Sequence, residues 1–394
     1  MTEATPRKLS HYFTASRRKG RADLPLMSVT MHNGLVRRDE LDRKMDSALT
    51  PEEHLLVEPN DIAYNTMRMW QGCFGLADEA ANVSPAYVVM RPKDTVDPRF
   101  AAHWFKSDRG LYMLWAYSYG LTEDRLRLYG NEFLQIPVVW PDASQQSRIA
   151  DILDAWDDAA DTANLLADEK DRRHRALVRS LSDIPSGQRT ELGEFAILVR
   201  KKLDLDASTT VSLELENIES KTGRKLGETR TADLNGKRSA FQPGDTLFGK
   251  LRPYLQKFFY AEYTGVASTE FWVLRPNMNK CRNRFLYYLV QQDAFSAEAQ
   301  RPTGSKMPRA EWELVSAAPL PLPSPDAQDR LIVALDASEA SAMAQRDEAA
   351  LLRRQKRGLM QKLLTGEWPV PESIDRLMPG GDAAAALARE ATAA

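Results

Sequence analysis

The chain has 394 residues, with 53 Lys and Arg against 55 Asp and Glu and a formal net charge of −2. That length allows one to three domains, and the near-neutral charge disfavours a protein that holds a nucleic acid alone, because such proteins are usually basic. Cys73 and Cys281 lie far apart, which disfavours a disulfide framework. The first ten residues lack the apolar stretch of a secretion signal, and no apolar run approaches the ~18 residues of a membrane span. These features disfavour a membrane protein and predict a cytoplasmic location.

The first half of the chain opens with strand signals and closes with a long helix. "DIAYNTMRMW" (Asp61–Trp70) alternates apolar residues as a strand does. The segment Asp97–Gly120 predicts one helix that ends at Gly120. Pro141-Asp142 predicts the start of a helix from about Gln145 to Leu181, because proline stops a strand and aspartate caps a helix. Its apolar seam recurs at three- and four-residue steps and consists of Ile149, Leu153, Trp156, Ala160, Ala163 and Ala167.

The second half shows the same order of signals. "VASTEFWVLRP" (Val266–Pro276) predicts a strand, Asn283–Gln300 predicts a helix, and Pro325-Asp326 predicts the start of a second long helix. The seam of this helix consists of Leu331, Leu335, Ala342, Ala349, Leu352, Leu359 and Leu363. Each long helix could lie against its own domain, but both seams exceed four turns and their opposite faces are highly charged. We therefore favour packing of one helix against the other.

These similarities form an internal repeat. "DTLFGKLRPY" (Asp245–Tyr254) follows "DIAYNTMRMW" by 184 residues, and three further pairs of blocks match in the same order at displacements of 182 to 184. The repeat predicts an α+β fold with two tandem domains, each a twisted sheet with helices, separated by a long antiparallel two-helix, coiled-coil-like spacer with pseudo-two-fold symmetry. The predicted bounds are domains at residues 1–142 and 184–324, spacer helices at 143–183 and 325–366, and a flexible tail at 367–394.

The repeated motifs resemble a known family. "GDTLFGKLRPY" with "STEFWVLRP", "DIAYNTMRMWQG" with "VSPAYVVMRP", the two Pro-Asp-Ala helix openings and "RRQKRGLMQKLLTG" (Arg353–Gly366) are similar to the specificity subunit of a type I restriction-modification system. The resemblance extends from about Lys8 to Gly366. It implies two target-recognition domains that each read half of a bipartite double-stranded DNA sequence, and spacer helices that dock two DNA-methyltransferase subunits. Restriction and translocase subunits can join, and the resemblance implies S-adenosylmethionine, ATP and Mg in those partner subunits, with no cofactor in this chain.

Recognition of DNA requires basic side chains for phosphates and guanine, amides for adenine, and hydroxyl groups for adaptable hydrogen bonds. The predicted DNA contacts in the first half are Thr66, Arg68, Trp70, Gln71, Ser84, Thr122, Arg125 and Arg127. Those in the second half are Lys250, Arg252, Tyr254, Lys257, Ser268, Thr269, Thr303, Ser305, Lys306 and Arg309. Alternatively, Arg68 and Arg252 pair with carboxylates of their own domain, and Trp70 and Tyr254 belong to the core.

The sequence contains no recognisable catalytic motif. A Gly-x-x-x-x-Gly-Lys-Ser/Thr loop is absent, and the five histidines show no metal-ligand spacing. We therefore expect a non-catalytic chain without a metal. Three alternatives stay open: a scaffold that gathers partners without reading sequence, an enzyme with an unrecognised site, and a DNA reader of another modification or defence system without restriction partners.

Overall fold

The structure is a computed structural model that describes residues 5–41, 49–122, 125–184, 189–205, 211–301 and 307–376. The chain divides into two compact units, Met1–Thr162 with Glu348–Ala394, and Ala163–Asp347. Each unit holds one module of strands and short helices, together with part of each of two long helices. The predicted α+β class is therefore confirmed. No helix in the described part of the chain is long and apolar enough to cross a membrane.

The first module is built on two four-stranded sheets, and β1 and β10 form a separate antiparallel pair. Its strands are β1 (Arg7–Lys8), β2 (Phe13–Ser16), β3 (Leu26–Thr30), β4 (Gly34–Arg37), β5 (Leu55–Val57), β6 (Ile62–Asn65), β7 (Phe74–Leu76), β8 (Ala81–Val83), β9 (Tyr87–Pro92) and β10 (Pro137–Val138). Its helices are α1 (Pro98–Lys106), α2 (Asp108–Ala116) and α3 (Gly130–Gln135), and the first long helix is α4 (Ala143–Ser180). One sheet has the antiparallel order β2-β9-β6-β7, and the other has the order β4-β3-β8-β5 with a parallel β3-β8 pair.

The second module repeats this plan. Its strands are β11 (Arg189–Glu191), β12 (Ala196–Leu198), β13 (Lys202–Leu203), β14 (Val211–Ser212), β15 (Thr229–Arg230), β16 (Arg238–Phe241), β17 (Thr246–Gly249), β18 (Phe258–Tyr260), β19 (Gly265–Ala267), β20 (Phe271–Pro276) and β21 (Pro319–Pro321). Its helices are α5 (Leu192–Phe195), α6 (Asn283–Leu289), α7 (Asp293–Ala299) and α8 (Trp312–Ser316), and the second long helix is α9 (Pro325–Leu364). Its main sheet has the order β12-β20-β17-β18, which matches β2-β9-β6-β7 strand for strand. The predicted duplication is therefore present in the topology, while the two-fold relation of the modules stays a prediction.

An ion pair between a buried aspartate and a half-buried arginine links the Asp that begins one repeated phrase to the Arg-Pro that ends the next. In the first module Arg91 donates two hydrogen bonds to the Asp61 carboxylate, at 3.1 and 3.0 Å. In the second, Arg275 donates the same two bonds to Asp245, at 2.7 and 2.8 Å. Both aspartates are almost fully buried, and each also accepts a hydrogen bond from the backbone N–H three residues earlier. Each pair therefore fixes the alignment of two neighbouring central strands, β6 with β9 and β17 with β20.

The first turns of both long helices are part of the module cores. Ile149 and Leu153 of α4 pack in one core cluster with Phe100 and Trp140. Leu335 of α9 packs in the corresponding cluster of the second module, with Leu331 at its edge. Each cluster also contains residues from the end of the other long helix, namely Leu363 of α9 in the first and Val178 of α4 in the second. These turns therefore pack both on their own module and beside the other long helix.

Farther along, the two long helices pair antiparallel within each unit. In the first unit Lys356 forms an ion pair with Asp157, and Arg353 approaches Asp161 at 3.9 Å. In the second unit Lys170 donates to Gln345 at 2.9 Å, and Arg346 pairs with Asp171. In the first unit, positions therefore fall along α9 as they rise along α4. In the second unit, the core cluster that joins Val178 of α4 with Leu335 of α9 shows the same order. The buried residues along this stretch are mostly alanines, namely Ala160, Ala163, Ala167, Ala342 and Ala349, and such small side chains allow close helix packing.

Polar clamps join each module to its long helix. In the first module Arg99 of α1 donates to Asp151 at 2.7 Å, and His103 lies 2.7 Å from Asp154. In the second, Arg284 and Tyr288 of α6 both donate to Asp336, at 2.9 and 2.6 Å, and Tyr287 donates to Glu339 at 2.7 Å. Acidic residues of the long helices therefore hold the modules in place.

Three predicted elements were wrong in detail. The helix predicted over Asp97–Gly120 is two helices, because the Ser107 side chain caps α2 by accepting from the Gly110 N–H at 3.1 Å. The helix predicted over Asn283–Gln300 is likewise broken between α6 and α7. The strand predicted over Val266–Pro276 is broken by a turn in which the Ser268 hydroxyl accepts from the Glu270 N–H.

The predicted flexible tail also begins too early. Val370 is buried in the first core cluster, and its carbonyl accepts a hydrogen bond from Gln145 at 3.0 Å. A short 3-10 helix follows at Glu372–Arg376. Residues 367–376 therefore belong to the first unit, because Val370 packs in the same core cluster as the first turns of α4.

Removal of the buried ion pair should destabilise one module. Substitution Arg275→Ala leaves the buried Asp245 carboxylate without its cation, and we expect the free energy of unfolding of the second unit to fall by about 3 kcal/mol. Urea titration followed by circular dichroism measures this change. The matched control is Arg282→Ala, which removes an exposed pair with Asp329 and should leave the midpoint almost unchanged. Equal effects of the two substitutions would contradict a structural role for the buried pair.

The clamp of the first module should depend on pH. Burial raises the pKa of Asp154, but the hydrogen bond with His103 and the charges of Arg99 and Lys356 outweigh it, so that the pKa lies below the usual value of 3.8. A lowered pKa in the folded state stabilises the fold above the unfolded pKa, and this contribution is lost as the pH falls through the folded value.

We therefore expect the wild type to be more stable than Asp154→Asn at pH 7, with the difference shrinking as the pH falls below 3.8. Urea unfolding at a series of pH values measures it. Asp158→Asn, on the exposed side of the same helix, is the control and should show no such trend. A stability difference for Asp154→Asn that stays constant with pH would refute the assignment.

Candidate nucleic-acid interface

The turn between β6 and β7 carries four of the predicted contacts. A short 3-10 helix at Met69–Gln71 follows Arg68, and Gly72 closes it with a φ of 79°. Arg68 and Gln71 are exposed and joined by a hydrogen bond of 3.1 Å. The Trp70 indole N–H donates to the Met67 carbonyl at 3.1 Å. The turn therefore presents a guanidinium and an amide to solvent and is stiffened by its own hydrogen bonds.

The turn between β17 and β18 has the same length and the same 3-10 helix, here at Pro253–Leu255. It is flanked by two non-glycine residues in the left-handed region, Arg252 with φ 50° and Gln256 with φ 48°. Each such residue costs about 1 kcal/mol. Arg252 is exposed, and Tyr254 is 49% exposed. The strain is maintained by neighbouring contacts, including the hydrogen bond from the Arg252 N–H to the Pro308 carbonyl at 2.9 Å.

A second loop lies beside each turn through an equivalent backbone hydrogen bond. In the first module the Leu128 N–H donates to the Thr66 carbonyl at 2.9 Å, and in the second the Ala310 N–H donates to the Lys250 carbonyl at 2.8 Å. These bonds bring the loop of Arg125 and Arg127, and the segment of Arg309, to the same end of the main sheet. Thr122 is exposed in the first of these loops. Thr303, Ser305 and Lys306 lie outside the described residues.

The turns before β9 and β20 complete the cluster. Ser84 and Ser268 each accept a hydrogen bond at 3.3 Å from the backbone N–H two residues later. The Lys250 N–H donates to the Glu270 carbonyl at 2.9 Å, which holds Thr269 beside the β17–β18 turn. Both serine side chains therefore shape their own turns. We use the term reading end for the end of each main sheet where these loops meet.

The predicted basic residues differ in whether a partner holds them. Within the described ranges, Arg125, Arg127, Lys250 and Arg252 have no ion-pair partner. Arg309 is paired with Glu270 at 3.2 Å, and the Lys257 ammonium donates to the Leu215 carbonyl at 2.8 Å. Lys257 is therefore held as part of the scaffold.

The alternatives raised for the turn residues do not hold. Neither Arg68 nor Arg252 contacts a carboxylate of the described chain, and Trp70 and Tyr254 lie outside the core clusters. All four therefore remain accessible at the reading ends.

Sequence reasoning missed a group of exposed aromatic residues near the first reading end. They lie on α2 and the loop after it, and they are Tyr112, Trp115, Tyr119 and Tyr129. A shallow cavity of about 430 Å³ lies here, lined by Trp115, Thr122 and the fully exposed Leu121 among others. The signal was the aromatic run "LYMLWAYSYG" (Leu111–Gly120), which was predicted only as part of one continuous helix.

A group of potential metal ligands occurs away from the reading ends. His103, Asp154 and Asp157 place one donor atom each within 4.8 Å of one another. However, Arg99 lies 3.2 Å from Asp154, and Lys356 pairs with Asp157. Cationic side chains already neutralise both carboxylates, so these residues form an ion-pair network between α1 and the long helices.

Comparison with known proteins gives a consistent result. No protein-family model matches the chain. The specificity subunit of the type I restriction enzyme EcoDI from Escherichia coli is 27% identical over 139 residues, which are 34% of this chain and 31% of that protein. The match therefore spans about a third of the length of the curated relative.

Two solved structures share the fold over most of the chain. The S subunit of a type I restriction-modification system from M. genitalium aligns with a TM-score of 0.54 and 15% identity, covering 91% of this chain and 96% of that one. A chain from a structural study of complex assembly and conformational transition in a type I restriction-modification system aligns with a TM-score of 0.52 and 15% identity, covering 91% and 97%. The resemblance to type I specificity subunits is therefore confirmed, in fold over about nine-tenths of the chain and in sequence over about a third.

Proposed function

We propose that this chain is the DNA-recognition subunit of a type I restriction-modification complex and that each module reads one half of an asymmetric, bipartite target. The observation that carries the proposal is the pair of reading ends. They have turns of equal length with a 3-10 helix at the same position, exposed cations and unlike side chains. Matched scaffolds with different side chains are what two unlike half-sites require.

The side chains of the reading ends suit contacts with base edges. An arginine can bind the O6 and N7 atoms of guanine with two hydrogen bonds, and glutamine can do the same with adenine. Arg252 stands on a strained turn beside the exposed Tyr254. Arg68 and Gln71 stand on the equivalent turn of the first module. Two half-sites read together lengthen the recognised sequence. The complex then discriminates better between DNA sites, because each mismatched base pair costs about 1–3 kcal/mol.

The long helices support a role in assembly. Leu165 and Val333 are each 71% exposed, and Leu166 is 45% exposed. These apolar side chains suit docking of partner helices, for which we propose two DNA-methyltransferase subunits, with restriction subunits as further partners. S-adenosylmethionine, ATP and Mg then belong to those partners, and this chain has no catalytic role.

The two modules should be separable by substitution. Methylated adenines are first mapped in a genome with and without this gene, which defines the two half-sites. Arg252→Ala should then reduce the binding preference for the correct base in one half-site by about 1–3 kcal/mol per lost bidentate contact. Arg125→Ala should reduce this preference only in the other half-site. Competition binding with single-base variants of the target measures both effects.

The control for this experiment is Lys280→Ala, an exposed lysine outside the turns of the reading end, which should leave both half-sites unchanged. If Arg252→Ala and Arg125→Ala weakened the same half-site, the assignment of one half-site to each module would be wrong. No change of preference in any variant would favour a scaffold without sequence reading.

Affinity should depend on the partners. Because the net charge is only −2 and phosphate neutralisation supplies most of the affinity for DNA, we expect weak binding by the isolated chain and tight, specific binding by the assembled complex. Gel-shift titrations of the same target duplex with each preparation measure this. A scrambled duplex serves as the control. Tight and specific binding by the chain alone would contradict the proposed division of labour.

A further inference from the structure

A cationic cavity lies in the first unit between the α1–α2 junction and the end of α9. It has a volume of about 310 Å³ and is lined by Lys106, Ser107, Asp108, Arg353, Lys356, Arg357, Met360 and Gln361. We call it the basic cavity. Four of its lining side chains are cations and one is an acid. The predicted DNA contacts do not include any of them.

The charges of this cavity are only partly compensated. Lys356 pairs with Asp157, Arg353 reaches Asp161 only at 3.9 Å, and the Asp108 carboxylate accepts a hydrogen bond from Gln361 at 2.8 Å. Over the part of the chain that the structure describes, neither Lys106 nor Arg357 has an ion-pair partner. Arg353 and Arg357 also lie four residues apart on one helix face, where like charges repel. An anion in the cavity would relieve this repulsion.

The basic cavity adjoins the first reading end. The Lys106 ammonium lies 5.7 Å from the centre of the Phe74 ring, and Phe74 begins β7 directly after the β6–β7 turn. Leu111 of α2 lies beside Gly72 of the same turn, so close that a Cβ atom added at Gly72 would lie 3.0 Å from the Leu111 side chain. An anion in the cavity is therefore close to any DNA held by that turn.

The second unit provides a natural comparison. The repeat places Asp171, His174 and Arg175 of α4 where the first unit has Arg353, Lys356 and Arg357 of α9. The corresponding cavity measures only about 20 Å³, because a segment of the module itself occupies the place. In that segment Glu219 lies 3.3 Å from Arg346, and Arg224 lies 3.4 Å from Asp347. In the second unit, residues of the module therefore occupy the place of the basic cavity and form ion pairs with the charged residues of the long helix.

We infer that the basic cavity binds a backbone phosphate of the DNA duplex beside the half-site of the first module. This inference rests on the proposed function and adds a contact that carries no base information. Lys106 and Arg357 supply the free cations, and the second unit makes no equivalent contact. The contact holds the duplex against the long helix and leaves the reading end to select the sequence.

The test uses the assembled complex and fluorescence polarisation with target and scrambled duplexes over a range of salt concentrations. Each lost phosphate contact reduces the slope of log K against log salt by about 0.9, which corresponds to about fivefold weaker binding at about 0.15 M salt. Arg357→Gln and Lys106→Gln should each weaken both duplexes alike and reduce this slope. Arg175→Gln, at the matched position of the second unit, is the control and should change neither.

Three outcomes would overturn the inference. An unchanged salt slope in both Arg357→Gln and Lys106→Gln excludes the phosphate contact. Loss of the methyltransferase subunits on purification, with normal DNA binding by the complex that remains, would show that the cavity holds a carboxylate of a partner protein. A reduced slope in Arg175→Gln of the same size would show a general charge effect.

Two further measurements separate other causes. Restoration of the slope by Arg357→Lys excludes misfolding. Failure of the wild-type complex to prefer its target over the scrambled duplex would refute the proposed function separately.

Discussion

The buried Asp–Arg pair determines where each reading end can form. In the first module Asp61 stands immediately before β6, and its partner Arg91 lies near the end of β9. A shift of one residue between these strands would turn every side chain to the opposite face and would separate the two charges. The pair therefore fixes the register, and the turn that carries Arg68 leaves the other end of the same short strand, about 13 Å away. Asp245 and Arg275 do the same for the turn that carries Arg252.

This separation between scaffold and reading end lets the turns diverge without loss of the fold. The 3-10 helices at Met69–Gln71 and Pro253–Leu255 coincide in position, and each is followed by a residue in the left-handed region. In the first module that residue is Gly72, which adopts the conformation at no steric cost, whereas in the second it is Gln256, which does not. The second turn is accordingly braced by contacts from outside it, including the hydrogen bond from Gln256 to Ser296 at 2.8 Å. The 3-10 helix and the left-handed residue that ends it are thus shared, whereas the residue before the helix differs, with φ −129° at Arg68 and φ 50° at Arg252.

The sequence predicted the features that depend on period and order, and it failed where tertiary contacts decide. The duplication, the strand β6 and the two long helices follow from spacing alone. The break at Ser107 does not, because a serine in an apolar periodic run caps a new helix only where the chain can turn back on itself. Lys257 was predicted as a DNA contact, yet its ammonium donates a hydrogen bond to the Leu215 carbonyl, a contact between segments far apart in sequence. The exposure of the aromatic residues on and after α2 and the presence of the basic cavity could not be predicted, since each depends on the way separate elements meet.

The near-neutral charge of the chain is compatible with DNA recognition once the positions of its carboxylates are known. Asp61 and Asp245 are buried in the sheets, Asp151 and Asp154 clamp α1, and Asp336 and Glu339 clamp α6. Most of this negative charge is therefore bound to arginines within the scaffold. Glu270 also pairs with an arginine, Arg309, but it lies at the second reading end and not within the scaffold. A carboxylate at this position repels phosphates, but it can accept a hydrogen bond from the amino group of cytosine. Glu270 would therefore weaken binding to any DNA site that offers no cytosine amino group to it. Net charge thus describes the whole chain poorly, whereas the local balance at each reading end sets what that end can bind.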